Sequence, residues 1–81
     1  MRLDKFLKVS RLIKRRTVAN EACDAGRVAV NGKPARASYA LKTDDVIELT
    51  LGARVLRAKV LHVAEFARKE DAPQMYVILE E

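Results

Sequence analysis

Gly26-Arg27-Val28-Ala29-Val30-Asn31-Gly32 is the stretch at which the pattern of the chain changes. Gly26 suits the position just past a helix, where a left-handed backbone costs glycine nothing. Val28 and Val30 then alternate with other residues, and Asn31-Gly32 is a strong signal for a type I′ hairpin turn. The stretch therefore predicts the end of a helix, a short strand and a reversal of the chain, in that order.

Working back from Gly26, residues 18 to 25 read as a helix, with Thr17 as its N-cap and Val18, Ala22 and Ala25 facing inward. Before it, Leu3, Phe6, Leu7 and Ser10 recur at three- and four-residue spacing, which predicts one face of a helix over about residues 2 to 9. Asp4 lies four residues before Lys8, a spacing that suits a helix-surface ion pair. The segment Ser10-Arg11-Leu12-Ile13-Lys14-Arg15-Arg16 reads as a tight basic connector, anchored to the core by Leu12 and Ile13.

Working forward from Gly32, Pro34 lacks an amide donor, so the returning strand is short or at a sheet edge. Thr43-Asp44-Asp45 reads as a turn. Val46 to Leu51 alternates, with Ile47, Leu49 and Leu51 on one face, and Gly52-Ala53 closes a second hairpin. A strand follows over 54 to 63, with His62 sharing a face with Leu56, Ala58 and Val60. Residues 65 to 74 read as a charged, mobile surface excursion, and Met75 to Leu79 as a last strand. The expected fold class is α+β, two short N-terminal helices followed by a small, mostly antiparallel β-sheet. With 81 residues there is enough chain for one domain, because units of this size bury only roughly 60 to 65 percent of their unfolded surface.

Catalytic chemistry is poorly provided for. His62 is the sole histidine and Cys23 the sole cysteine, which supplies neither a nucleophile–base–orienter set nor the ligands of a zinc site. Asp44 and Asp45 are neighbours on a turn and diverge. The three glycines are isolated, so no phosphate-cradling loop or dinucleotide fingerprint is present. The reading is of a protein that is not an enzyme, with no catalytic residue, no metal and no cofactor. A lone cysteine excludes a disulfide framework, and no stretch has the roughly 20 apolar residues of a membrane span or the leader of a secreted chain. A soluble cytoplasmic monomer without membrane contact is expected.

The distribution of charge is more informative than its total of +5. Residues 1 to 16 hold seven basic groups against Asp4 alone. Residues 17 to 42 hold four against two, and residues 43 to 81 hold five against eight. Clustered cations of this kind raise the local concentration of a polyanion, and the competing explanation is a merely solvated helix face. The candidate RNA-binding set is Arg2, Lys5, Lys8, Ser10, Arg11, Lys14, Arg15, Arg16, Thr17, Asn20, Arg27, Asn31 and Lys33. Arginine supplies a rigid fork for phosphate, whereas lysine supplies a movable point charge, so the arginine-rich connector sets geometry. The start of the second helix, near Thr17 and Asn20, adds unpaired amides. Capping alone also accounts for Thr17, and turn chemistry for Asn31. The aromatics Phe6, Tyr39, Phe66 and Tyr76 are too few and too scattered for a stacking platform, so recognition of RNA by shape and backbone is expected.

These residues carry a resemblance. Arg2-Leu3-Asp4-Lys5 with Leu7, then Ser10-Arg11, Arg16-Thr17, Ala19, Ala22 and the Gly26 to Gly32 stretch, resemble the RNA-binding domain named after the small-subunit ribosomal protein S4. The motif covers about residues 1 to 48, with the later strands, 54 to 79, as its continuation. The resemblance implies an αL-type module that docks on structured RNA. Over nearly its full length the chain is similar to the short stand-alone members of that family that act in bacterial ribosome quality control. That similarity implies binding to obstructed large ribosomal subunits, contacts with 23S rRNA and tRNA, and support of C-terminal alanine tailing by the partner RqcH. Two other readings stay open. One is the RNA-targeting piece of a modifying enzyme such as a pseudouridine synthase, against which stands the lack of a catalytic segment up to residue 81. The other is the ribosome-binding heat-shock branch, whose members continue into a longer C-terminal region.

Overall fold

The computed structural model describes residues 1 to 79. Its elements are α1 (Leu3–Val9), α2 (Arg16–Asp24), β1 (Val28–Val30), β2 (Lys33–Pro34), β3 (Val46–Leu51), β4 (Arg54–Val60), a 3-10 turn (Ala72–Met75) and β5 (Tyr76–Ile78). The strands form one antiparallel sheet in the order β2-β1-β3-β4-β5. This is the α+β arrangement expected from the sequence.

The deciding stretch behaves as its chemistry dictates. Gly26 takes φ +74°, its amide donates to the Cys23 carbonyl, and the Arg27 amide reaches back to Ala22. Those two bonds are a Schellman closure, which satisfies the carbonyls left open at the end of α2. Asn31 and Gly32 both have positive φ, as a type I′ turn requires, and Val30 faces Lys33 across it. Pro34 lies on the edge strand β2, where its missing donor costs nothing.

From β2 the chain crosses back beneath the start of α1 as a strap over residues 35 to 45. Leu3 donates to Tyr39, Asp4 to Ala37 and Leu41 to Met1, and Arg2 bridges to Ala40. Ala35, Ala37 and Leu41 point inward from this strap, so it joins the N-terminus to the sheet by both main chain and side chain. The core runs through both halves of the chain: Leu3, Phe6, Leu7, Ala19, Cys23, Val28, Ile47, Leu49, Val60 and Met75 belong to one buried cluster. Leu12 and Ile13 anchor the connector to it.

Four sequence expectations are corrected. Helix α2 starts at Arg16 with Arg15 as its N-cap and no side-chain cap, so Thr17 lies inside the first turn and is exposed. The helix is also rotated: Ala19 and Cys23 are buried, whereas Val18 is 46% exposed and Ala25 is exposed. The rotation follows from Arg16 and Asn20, one turn apart, both reaching a group on α1 described below. Strand β4 stops at Val60 rather than at residue 63. Beyond it the amides of Leu61 and His62 both donate to the Met75 carbonyl, which ends the alternation and leaves His62 exposed. Finally, residues 65 to 74 are not only a surface excursion. Ala64 and Ala67 pack on the core, and the 3-10 turn buries Ala72 and Met75 before β5 begins. The expected face of β3 holds for Ile47 and Leu49, while Leu51, near the hairpin tip, is 52% exposed.

Candidate nucleic-acid interface

The site is organised around a buried carboxylate. Asp4 is 2% exposed and sits where α1 faces the start of α2. Arg2 donates to it through Nε at 3.1 Å and Nη2 at 3.3 Å, Arg16 through Nε at 3.4 Å, and Asn20 through Nδ2 at 3.4 Å. The Lys5 amide adds a bond of 2.8 Å. Burial pushes the Asp4 carboxyl upward, but the hydrogen bonds from Arg2, Arg16 and Asn20 and the charge of Arg16 outweigh it, so it is held below its ordinary value. Asp4 thus remains charged and fixes two guanidinium groups at one spot. The expected partnership with Lys8 is not formed: Lys8 is exposed and Asp4 is turned inward.

The connector presents its cations outward for a local reason. Ser10 closes α1, its hydroxyl donating to the Leu7 carbonyl at 3.3 Å, and Arg11 takes a left-handed φ of +64°. A non-glycine residue in that region costs on the order of 1 kcal/mol. The turn is held by the Arg11 amide on Lys8, the Ile13 amide on Leu7 and the burial of Ile13. Lys8, Arg11, Lys14 and Arg15 are exposed around it, and Arg27 and Lys33 are exposed beyond the second helix. None of these six has a carboxylate partner among the described residues.

Several candidates are placed differently from the expectation. Ser10 is 1% exposed and shapes the connector from within, so its side chain is not offered to a ligand. Lys5 is drawn to Glu65, with Nζ 2.5 Å from Oε1, away from the Asp4 cluster. Asn31 has both ends of its amide in use: Nδ2 donates to Asp45 at 3.1 Å and Oδ1 accepts from the Val46 amide at 3.0 Å. Its role is therefore in the turn. Thr17 and Asn20, with Asp4, Arg16 and Glu21, line a shallow concavity at the start of α2. Cys23 is buried, and desolvation followed by the charges of Asp4 and Asp24 pushes its thiol up to about 11, which leaves no thiolate for nucleophilic chemistry.

Tyr39 is the residue that sequence reasoning set aside. Its carbonyl is bonded to Leu3, its neighbour Ala40 faces Arg2, and with Val30, Asn31, Lys33, Pro34 and Ala35 it lines a second concavity. Spacing gave no signal for this, because the strap that brings it there has no periodicity.

Comparison with known proteins agrees with this geometry. The S4 domain model matches residues 1 to 47. An RQC P-site tRNA stabilizing factor from Streptococcus pneumoniae is 53% identical over all 81 residues and 92% of its own length. The factor of the same name from Listeria innocua is 51% identical, with 88% of its length covered. Among solved structures, the trimeric heat shock protein 15 of Vibrio cholerae superimposes with a TM-score of 0.90 at 28% identity, over 98% of this chain and 81% of that one. On this motif match and these full-length identities, the chain belongs to the S4-domain family, in its group of RQC P-site tRNA stabilizing factors.

Proposed function

We propose that this protein is a non-catalytic, cytoplasmic RNA-binding factor that engages the large ribosomal subunit on obstructed ribosomes, bridging 23S rRNA and tRNA. In that setting it would steady the tRNA while a partner, RqcH, extends the stalled chain with C-terminal alanine. The observation that carries the reading is the set of outward cations without carboxylate partners among the described residues, Lys8, Arg11, Lys14, Arg15, Arg27 and Lys33, next to the Arg2–Asp4–Arg16 cluster. Such groups gain most from phosphate oxygens, and the guanidinium edges held by Asp4 are already oriented. The names of the full-length relatives support the ribosomal setting. Residues 1 to 48 would form the docking module, and the strands from 54 to 79 would support it within the same domain.

The heat-shock branch is the second reading, favoured by the close superposition on heat shock protein 15. The higher identity to the tRNA-stabilizing group ranks it behind the first. Targeting of an RNA-modifying activity ranks below both, since neither relative is named for such chemistry.

The test is co-sedimentation of the purified chain with large subunits carrying peptidyl-tRNA. Arg11→Ala and Arg16→Ala should each reduce it, and if both leave it unchanged the proposal fails. Binding should also fall with salt, with a log–log slope of roughly −0.7 to −0.9 per phosphate neutralised.

A further inference from the structure

Resting on the RNA-binding reading, we propose that the concavity between the first hairpin and the strap is a subsite for one unpaired nucleobase, stacked on Tyr39, with Lys33 on the adjoining phosphate. Its walls are Val30, Asn31, Lys33, Pro34, Ala35 and Tyr39. Val30 and Ala35 are nearly buried and make an apolar floor, while Tyr39 is 37% exposed. An apolar pocket with an aromatic wall and, at its rim, a lysine that meets no carboxylate among the described residues matches a nucleotide in polarity: a flat π-face inside, a charge at the mouth. An apolar amino-acid side chain would leave Lys33 unanswered, and a bare phosphate would leave the floor and the ring unanswered.

Position favours the same occupant. The Tyr39 carbonyl receives the Leu3 amide at 2.9 Å, and Ala40 bridges to Arg2, one of the two arginines on Asp4. The strap therefore ties the main chain at Tyr39 to the same end of α1 that carries the Arg2–Arg16 cluster. Stacking on the ring and a charge at the rim suit any of the four bases, since every base has a π-face. Asn31, its only side-chain amide, is committed to Asp45 and Val46. The subsite accordingly selects for an unstacked base over a paired one without distinguishing among the four bases.

The experiment compares two RNA hairpins, one fully paired and one with a single bulged 2-aminopurine, binding to the full chain. The wild type and Tyr39→Phe should prefer the bulged hairpin and quench its fluorescence. Tyr39→Leu, which keeps an apolar side chain, should lose the quenching and reduce the preference roughly 5- to 100-fold, the worth of one base–aromatic stack. Lys33→Gln should lower the salt slope on the bulged hairpin by about one. Circular dichroism of each variant verifies its fold. Equal affinity of the wild type for both hairpins, or full quenching by Tyr39→Leu, would overturn the subsite while leaving the broader reading intact. Binding of neither hairpin in a salt-dependent manner would remove the broader reading, and the subsite with it.

Discussion

The α1–connector–α2 region and the β3–β4 hairpin are both rich in charge, yet they spend it differently. In the hairpin, Arg57 meets Glu48 at 3.4 Å across the strands and Lys59 meets Asp44 at 3.7 Å at their end. In the helical region two arginines share the single carboxylate of Asp4, and Lys8, Arg11, Lys14 and Arg15 meet none among the described residues. The contrast teaches that net charge is a poor guide to where a polyanion binds. What counts is which cations the fold has already answered.

Removing the unanswered set should have the largest effect. Lys8→Gln, Arg11→Gln, Lys14→Gln and Arg15→Gln together should lower RNA affinity on the order of 10²- to 10³-fold and flatten the log–log salt slope by roughly 3. A filter-binding titration from low to high salt checks both, and an unchanged slope would show that the two regions do not differ as described.

Asp4→Asn should come next, because it leaves two guanidinium groups without their charge partner at a buried site. A loss of about 2 kcal/mol is expected, discounted from fully buried pairs because Arg2 and Arg16 are about half exposed. Its pH dependence carries a sign. The folded carboxyl is held below the ordinary value of 3.8, so its contribution is full above that value and disappears as pH falls through the lower folded one. Denaturant titrations at pH 7 and pH 3 should show a smaller difference for Asp4→Asn than for the wild type.

Asn31→Ala should cost about 1 to 2 kcal/mol of stability, through a positive φ of +54° and two lost bonds, and should leave the salt slope unaltered. Thermal unfolding beside a salt titration separates those outcomes. Smallest of all, Arg57→Ala should change stability by less than about 1 kcal/mol, since it opens one pair between an exposed arginine and a half-buried glutamate at the sheet surface. A marked loss of RNA binding in Arg57→Ala would break the comparison from the other side.

Much of the fold was legible because its signals are local. The Gly26 closure, the Asn31-Gly32 turn and the alternation of β3 each depend on a few successive residues, and each occurs where the sequence puts it. The site was legible as composition, a crowd of cations near the amino end. Its arrangement was not, because it is set by contacts remote in sequence. Asp4 and Lys8 have helix-pair spacing, but Arg16, twelve residues away, and Asn20, sixteen away, claim the carboxylate instead. Lys5 is taken by Glu65, sixty residues on. The rotation of α2 follows from the same tertiary bonds, which is why Ala19 and Cys23 displace Val18 and Ala25 from the core. Tyr39 looked isolated until an irregular strap brought it beside Arg2.

The grip of Asp4 on Arg2 and Arg16 has a consequence for the timing of costs. A long, flexible arginine surrenders up to roughly 2 kcal/mol of rotamer entropy when immobilised. Here much of that ordering occurs as the chain folds, so an incoming phosphate meets side chains whose torsions are already restricted. Nε of Arg16 is the nitrogen bonded to Asp4, which leaves the guanidinium's outer edge for the newcomer. The carboxylate, negative itself, thereby serves the recognition of another anion.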